Sequence, residues 1–191
     1  MMQKISSHFS MEYETDRLVL KVLTPDYAPL VCDFLSRNRE TFEKYEPTQP
    51  DNYYTEEYLS TVLSCELKLA LKTQTIRYYV FRKEDPNTII GTVCLHDVKQ
   101  HAYSCCEIGY KFDSGFWNRG YATEAVMMAV SIAFVALGLH RVFARVLPEN
   151  IASIRLLQKL SFAEEGIERH CIRIHGSWRD HLRFSILNEE T

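Results

Sequence analysis

Hydrophobic and polar residues recur with regular periods along most of the chain, and these periods predict strands and helices in turn. The segment from Arg17 to Val22 alternates polar and apolar residues, which is typical of a half-buried strand. Thr24-Pro25-Asp26 supplies a cap residue, a first-turn proline and a first-turn acid, which predicts a helix reaching about Arg39. Thr55 predicts the start of a second helix, whose apolar residues recur at helical spacing as far as Leu67.

The rest of the chain predicts three strands, a helix, a strand, a helix and two strands. The predicted strands are 77–82, 88–95, 104–112, 141–147, 166–174 and 178–187, and the predicted helices are 121–137 and 151–160. One helix joins the third strand of this group to the fourth, which requires a parallel or near-parallel pair. The pattern therefore predicts an α+β fold, with a central mixed, mostly antiparallel sheet of about seven strands flanked by about four helices.

Composition supports one domain. The 191 residues are 46% hydrophobic and 25% charged, enough to build a single core without a long disordered stretch. We expect one domain over residues 1–191, with residues 1–12 as a flexible tail. No apolar stretch reaches the ~18 residues of a membrane span, and the N-terminus lacks the pattern of a secretory signal. These features predict a cytoplasmic protein with no membrane partner.

Charge and the metal-binding residue types exclude other classes of function. The formal net charge is −3, from 22 basic and 25 acidic residues, which leaves no positive field to hold nucleic acid. The six cysteines form no C-x-x-C pair, which favours reduced, buried thiols. The seven histidines show no ligand spacing, so we expect no metal site.

The segment 115–125, with the sequence GFWNRGYATEA, lies between a predicted strand and a long apolar helix. The first turn of such a helix presents unpaired backbone N–H groups and the positive end of the helix dipole, which together favour an anion. Gly120 and Ala122 leave room for a phosphate, and Arg119 adds positive charge. The alternative is that Gly120 makes a tight turn and Arg119 is a solvated surface charge.

A second segment, 150–166, begins another predicted helix. Asn150 and Ser153 stand three residues apart at its start, and taken alone this spacing favours helix capping.

Taken together, these segments resemble the GNAT acetyltransferase superfamily. Gly120 and Ala122 fill the small positions of its pyrophosphate-binding loop, while Trp117 stands where Gln or Arg is usual. That tryptophan, followed by G-Y-A-T-E-A, resembles the branch of ribosomal-protein alanine and serine N-acetyltransferases (RimJ/RimL type). The sequences Glu107-Ile108-Gly109-Tyr110, N-x-x-S…F-x-x-E-G and Gly176-Ser177-Trp178-Arg179-Asp180 agree with it, so that the resemblance spans about 15–187.

The resemblance implies the GNAT fold, acetyl-CoA as cosubstrate and no metal. It also implies that the predicted strands 104–112 and 141–147 diverge, with the pantetheine arm between them. The cofactor-binding residues it implies are Tyr110, Lys111, Phe112, Trp117, Asn118, Arg119, Gly120, Tyr121, Ala122, Thr123, Asn150 and Ser153.

Catalytic roles follow from the same resemblance. Leu157 occupies the position where many relatives carry a tyrosine that protonates the leaving thiolate, and Ser153 is the implied substitute. Glu107 is the candidate general base, and a structural hydrogen-bonding role for this residue is an equal alternative. We expect the acceptor pocket to be formed by the loop 42–54, the first two helices and the turn at His175-Gly176.

The expected reaction is transfer of an acetyl group to a primary amine, with the N-terminal α-amine of a protein such as a ribosomal protein as acceptor. The alternatives are a small-molecule amine (a polyamine, antibiotic or amino sugar) and a non-catalytic acyl-CoA sensor. The expected assembly is a monomer or a homodimer without nucleic acid.

Overall fold

A computed structural model describes residues 9–189 of the chain. The strands are β1 (Glu12–Glu14), β2 (Leu18–Lys21), β3 (Ile76–Arg82), β4 (Asp85–Lys99), β5 (Cys105–Phe112), β6 (Arg141–Val146), β7 (Ala163–Ile174) and β8 (Ser177–Leu187). The helices are α1 (Ala28–Arg37), α2 (Arg39–Glu43), α3 (Glu56–Leu71), α4 (Tyr121–Ser131) and α5 (Ile151–Lys159). The α+β class predicted above is confirmed.

All eight strands form one sheet, in the order β1-β2-β3-β4-β5-β6-β8-β7. Every neighbouring pair is antiparallel except β5 and β6, which are parallel. The single parallel pair required by the helical connection is therefore present. It lies in the middle of the sheet and not at an edge.

The strand β1 lies at the end of the segment predicted to be a tail. Residues 1–8 of that segment lie outside the described residues. The carbonyl oxygen of Ser10 accepts a hydrogen bond of 2.9 Å from the Tyr78 hydroxyl, and that of Met11 accepts one of 2.8 Å from the Val22 N–H. The sheet therefore has one strand more than expected. The sequence did not predict β1, because a strand of three residues is too short to show a period.

Two predicted helices are interrupted. The first opens as a 3-10 turn at Pro25–Tyr27 and is divided between α1 and α2 at Asn38, whose buried side-chain amide donates to the Phe34 carbonyl at 2.9 Å. The helix predicted over 121–137 is α-helical only to Ser131 and continues as a π turn. Gly138 follows with a φ of 65°, the left-handed conformation expected at its end.

The helices cover both faces of the sheet. One face, which we call the α4 face, packs Tyr78, Ile108 and Phe184 against α4 and α5. The opposite α3 face packs Tyr79 and Phe81 against α1 and α3. Alternate strand residues therefore enter different cores, as the period of two requires.

All six cysteines are free thiols, but their burial varies. Cys94 and Cys106 are buried as expected, whereas Cys65 is exposed on α3 and the other three are partly buried. Adjacent Cys105 and Cys106 lie on a strand and point to opposite faces. Among residues 9–189, no helix is long and apolar enough to cross a membrane.

Candidate active site

The central feature of the site is a split in the middle of the sheet. The parallel pairing of β5 with β6 covers only three pairs, from Cys105 with Arg141 to Glu107 with Phe143. Beyond this point β5 stays paired with β4 as far as Phe112, while β6 stays paired with β8 as far as Val146. Backbone groups on the facing edges of the two strands are therefore open to an extended ligand that pairs as a strand would.

The loop after β5 is held by its own side chains. Asp113 accepts a hydrogen bond of 2.8 Å from the Gly115 N–H. Burial alone would raise the pKa of Asp113, but hydrogen bonds, the first from Arg37, outweigh it and hold that pKa below its usual value. The Trp117 indole N–H donates to the Phe112 carbonyl at 2.8 Å, and 48% of the tryptophan remains exposed. These contacts fix the path of the chain from β5 to the start of α4.

The N-terminus of α4 carries no side-chain cap within the described part of the chain. Gly120 is its N-cap residue, with a φ of 81°, and the first intrahelical bond runs from the Glu124 N–H to the Gly120 carbonyl at 3.0 Å. The N–H groups of Tyr121, Ala122 and Thr123 precede that bond and have no intrahelical acceptor. These donors and the helix dipole form a site that suits a phosphate.

Two residues near the start of β2 hold this loop in place. Thr15 Oγ1 donates to Glu124 Oε1 at 2.6 Å, and the Arg17 N–H donates to the same oxygen at 3.0 Å. Arg17 Nη1 also donates to the Arg119 carbonyl at 3.0 Å, and its guanidinium lies 4.6 Å from the centre of the Tyr121 ring. Neither Arg17 nor Glu124 is among the site residues predicted above, although Glu124 lies within the 115–125 motif.

The N-terminus of α5 faces the split from the α4 face of the sheet. Asn150 Oδ1 accepts a hydrogen bond of 3.2 Å from the Ser153 N–H, so the capping interpretation is confirmed. The Ser153 hydroxyl lies 2.8 Å from the Tyr110 hydroxyl, which links β5 to the first turn of α5. Leu157, one turn further along, is fully buried and supplies no proton donor.

Glu107 lies where the pairing of β5 and β6 ends, and it is 5% exposed. Its Oε1 accepts from Arg145 Nε at 2.9 Å, and its Oε2 accepts from Nη2 of the same guanidinium. His96 Nδ1 lies 4.0 Å from Oε2. Both carboxylate oxygens are thus engaged by a cation, and these contacts agree with the structural alternative that the sequence left open.

The side chain of Lys111 points to the α3 face. Its Nζ lies 2.8 Å from Glu46 Oε1 and 4.8 Å from the centre of the Phe42 ring. Burial lowers the pKa of Lys111, against the opposing effect of Glu46. The split therefore presents the Tyr110 hydroxyl on one face and the Lys111 ammonium on the other.

The elements expected to form an acceptor pocket do meet on the α3 face. The Nε2 atom of His175, in the β7–β8 turn, lies 2.6 Å from the Glu43 carbonyl oxygen at the end of α2. A cavity of about 320 Å³ beside this contact is lined by Pro47, Thr48, Arg173 and Gly176. The loop after α2 and the β7–β8 turn thus border a pocket that is open to solvent.

Within residues 9–189, one group of side chains has donor atoms close enough to bind a metal ion. It consists of His96, Asp97 and Glu107, with the donor atoms within 4.8 Å of one another. The Arg145 guanidinium already occupies the Glu107 carboxylate, which disfavours a further cation. The absence of a metal stays a prediction.

Comparison with known proteins agrees with this geometry. Residues 17–163 match the acetyltransferase (GNAT) domain family. The chain is 36% identical, over 81% of its length and 85% of the relative's, to a protein of Bacillus subtilis named probable N-acetyltransferase YjcK. Ribosomal-protein-S5-alanine acetyltransferase from Vibrio fischeri has a TM-score of 0.88 at 25% identity, covering 95% of this chain and 98% of that one. RimJ of Mycobacterium smegmatis in complex with CoA-disulfide has a TM-score of 0.85 at 25% identity, with 91% and 83% covered.

Proposed function

Since the chain belongs to the GNAT acetyltransferase family, we propose that this N-acetyltransferase transfers the acetyl group of acetyl-CoA directly to the N-terminal α-amine of a protein such as a ribosomal protein. Two structural relatives support the proposal: one is named a ribosomal-protein-S5-alanine acetyltransferase, and the other binds CoA as a disulfide.

One observation carries the proposal, namely that the uncapped N-terminus of α4 follows directly on the split between β5 and β6. A pyrophosphate needs convergent N–H donors, and a pantetheine arm needs open strand edges. Gly120 fits this use, because its φ of 81° favours glycine. A Cβ atom added there would lie 3.3 Å from Arg17 Nη2 and would fill part of the space beside the loop.

The proposed ligand contacts follow from these positions. The backbone of Tyr110, Lys111 and Phe112 pairs with the pantetheine arm, residues 118–123 hold the pyrophosphate, and Trp117 also contacts the cofactor. Asn150 contacts the arm from α5, and Ser153 lies next to the sulfur and stabilises the leaving thiolate by donating its hydroxyl proton.

The chemistry of the site favours an α-amine over a lysine side chain. An α-amine titrates near ~7.7–8.0 and a lysine near ~10.4, so deprotonating the lysine at neutral pH costs about 3.4 kcal/mol more. A strong base would offset that cost, but the Glu107 carboxylate already accepts two hydrogen bonds from Arg145.

Mass spectrometry of an acceptor panel tests this function. The panel contains peptides beginning with Ala or Ser, N-blocked peptides with lysine, and polyamines, each incubated with acetyl-CoA and the protein. Ser153→Ala should slow transfer by about 10–100-fold. Ser131→Ala is the matched control, because the Ser131 hydroxyl only donates to the Met127 carbonyl within α4 at 3.0 Å.

Each result separates the candidate functions. Acetylation of free N-termini alone supports the proposal. Transfer to polyamines alone would replace it with a small-molecule acetyltransferase, and tight binding of acetyl-CoA without transfer to any member of the panel would favour the sensor.

A further inference from the structure

The hydroxyl groups of Tyr110 and Ser153 lie 2.8 Å apart, and the Tyr110 hydroxyl oxygen lies a longer 3.4 Å from the Ser153 carbonyl oxygen. These two residues are 43 positions apart in sequence. One stands on β5 and the other in the first turn of α5, so their contact links the strand at the split to the helix on the α4 face. The family resemblance assigned only a cofactor contact to Tyr110 and did not pair it with the serine.

The hydrogen bond has a preferred direction. A phenol is far more acidic than an aliphatic alcohol, so the tyrosine is the better donor and the serine oxygen the better acceptor. Burial raises the pKa of Tyr110 well above its usual value, against a smaller opposing effect of Ser153. The phenol is therefore protonated at neutral pH, and its proton is available to Ser153 Oγ.

A serine hydroxyl has one proton to donate and two lone pairs to accept with. When Tyr110 occupies one lone pair, the Ser153 proton cannot turn toward the tyrosine and is directed elsewhere. The backbone N–H of Ser153 donates to Asn150 Oδ1, so both the backbone and the hydroxyl of this residue are held by hydrogen bonds.

We infer that Tyr110 is a positioning residue, whose hydroxyl orients the Ser153 proton toward the sulfur of the leaving CoA. The inference rests on the proposed function, because it needs the sulfur to lie beside Ser153. It also explains how a site with Leu157 in place of a tyrosine stabilises a thiolate: a phenol acts from β5, through the serine, and not directly from α5.

The group transfer balances with these residues. The amine nitrogen forms a bond to the thioester carbon, the carbon–sulfur bond breaks, and its electron pair goes to sulfur. Sulfur takes the proton of Ser153 Oγ, and Ser153 Oγ recovers the proton that the nitrogen loses as the amide forms. Tyr110 keeps its own proton throughout, so no buried phenolate is produced.

The first test needs no turnover. In a complex with CoA, the ionisation of the CoA thiol is followed by its ultraviolet absorbance, with the desulfo-CoA complex as the blank for the protein's own cysteines. Tyr110→Phe and Ser153→Ala should each raise the pKa of the bound thiol by about one unit, because each weakens hydrogen bonding to the thiolate. The double variant should raise it no further than Ser153→Ala alone.

A kinetic double-mutant cycle is the second test. Tyr110→Phe should lower kcat at least about tenfold, with the acetyl-CoA dissociation constant within about twofold of wild type. The double variant should be no slower than Ser153→Ala. Tyr78→Phe is the matched control, because it also removes a buried tyrosine hydroxyl, one that donates to the Ser10 carbonyl at 2.9 Å away from the split.

The outcomes are distinct. A Tyr110→Phe protein with wild-type thiol ionisation, or two substitutions whose effects on kcat multiply, overturns the inference and leaves the proposed function standing. A wild-type protein that fails to bind CoA refutes the proposed function itself, and the inference falls with it.

Discussion

Arg17 Nε donates a hydrogen bond of 2.7 Å to Glu124 Oε2, and the two residues are 107 positions apart in the sequence. The contact joins the start of β2 to the first turn of α4. It also neutralises a carboxylate that would otherwise repel a phosphate at the same helix N-terminus. The pair thus links the stability of the loop to its capacity to bind an anion.

Replacing Arg17 with Gln should weaken acetyl-CoA binding by about tenfold, which corresponds to about 1.4 kcal/mol. The physical reason is the unpaired Glu124 charge, together with the loss of the bond to the Arg119 carbonyl. Isothermal titration calorimetry measures the change. In the matched control, Lys83→Gln removes a more exposed ion pair, Lys83 Nζ to Glu14 Oε2 at 2.8 Å, and should leave the affinity unchanged. Equal losses in both variants would refute a specific role for Arg17.

Glu124 should also contribute to the loss of stability in acid. Burial raises its pKa, but hydrogen bonds from Thr15 and Arg17 outweigh this and hold the folded-state pKa below 4.5, the usual value. The contribution is therefore fully present above pH 4.5 and is lost as the pH falls through the folded pKa. In chemical denaturation between pH 3 and 7, about the range in which carboxylates titrate, Glu124→Gln should flatten the decline of the free energy of unfolding. An unchanged slope would contradict this.

Gly120→Glu should abolish acetyl-CoA binding, because it places bulk and negative charge against the proposed pyrophosphate site. Gly138→Glu is a close control. Both glycines have a positive φ, 81° and 65°, so both substitutions carry backbone strain of roughly 1–2 kcal/mol. Gly138 lies beyond the other end of the same helical segment, with no atom of the described residues within 4 Å of an added Cβ. Binding that survives in Gly120→Glu would refute the loop assignment.

Glu107→Gln should lower stability by roughly 1–3 kcal/mol, because it removes the charge of the carboxylate that accepts two hydrogen bonds from Arg145 and leaves Glu168, at 3.9 Å, as the charged partner of that guanidinium. If the residue is structural, the variant keeps the wild-type shape of the pH–rate profile. Thermal unfolding and a pH series of kcat together decide between the two interpretations. Loss of the limb of the profile that reports a base would restore Glu107 as the general base.

Lys111→Met should raise KM for the amine acceptor and leave the acetyl-CoA dissociation constant within about twofold. The reason is that the ammonium contacts Glu46 on the α3 face, away from Tyr110 and α5. Arg39→Met, which removes the ion pair of Arg39 with Glu43, is a control on the nearby α2. A large loss of acetyl-CoA affinity in Lys111→Met would show that its side chain contacts the cofactor.

The sequence by itself determined the features that depend on neighbouring residues. Thr55 and Asn150 are the N-caps that their spacing indicates, with hydrogen bonds of 3.3 Å from Tyr58 and 3.2 Å from Ser153. Gly120 and Gly138 adopt the left-handed conformation that favours glycine. Caps, turns and strand periods extend over a few residues, so the chain specifies them locally. The motifs at 115–125 and 150–166 also indicated the family.

Only the tertiary structure decided how these parts face one another. The β1 strand is too short to show a period, and it forms because β2 offers it an edge. The contacts of Arg17 with Glu124, Arg145 with Glu107 and Tyr110 with Ser153 join residues 38 to 107 positions apart. Such pairs depend on sheet register and on where the pairing of β5 and β6 stops, and no local pattern encodes either.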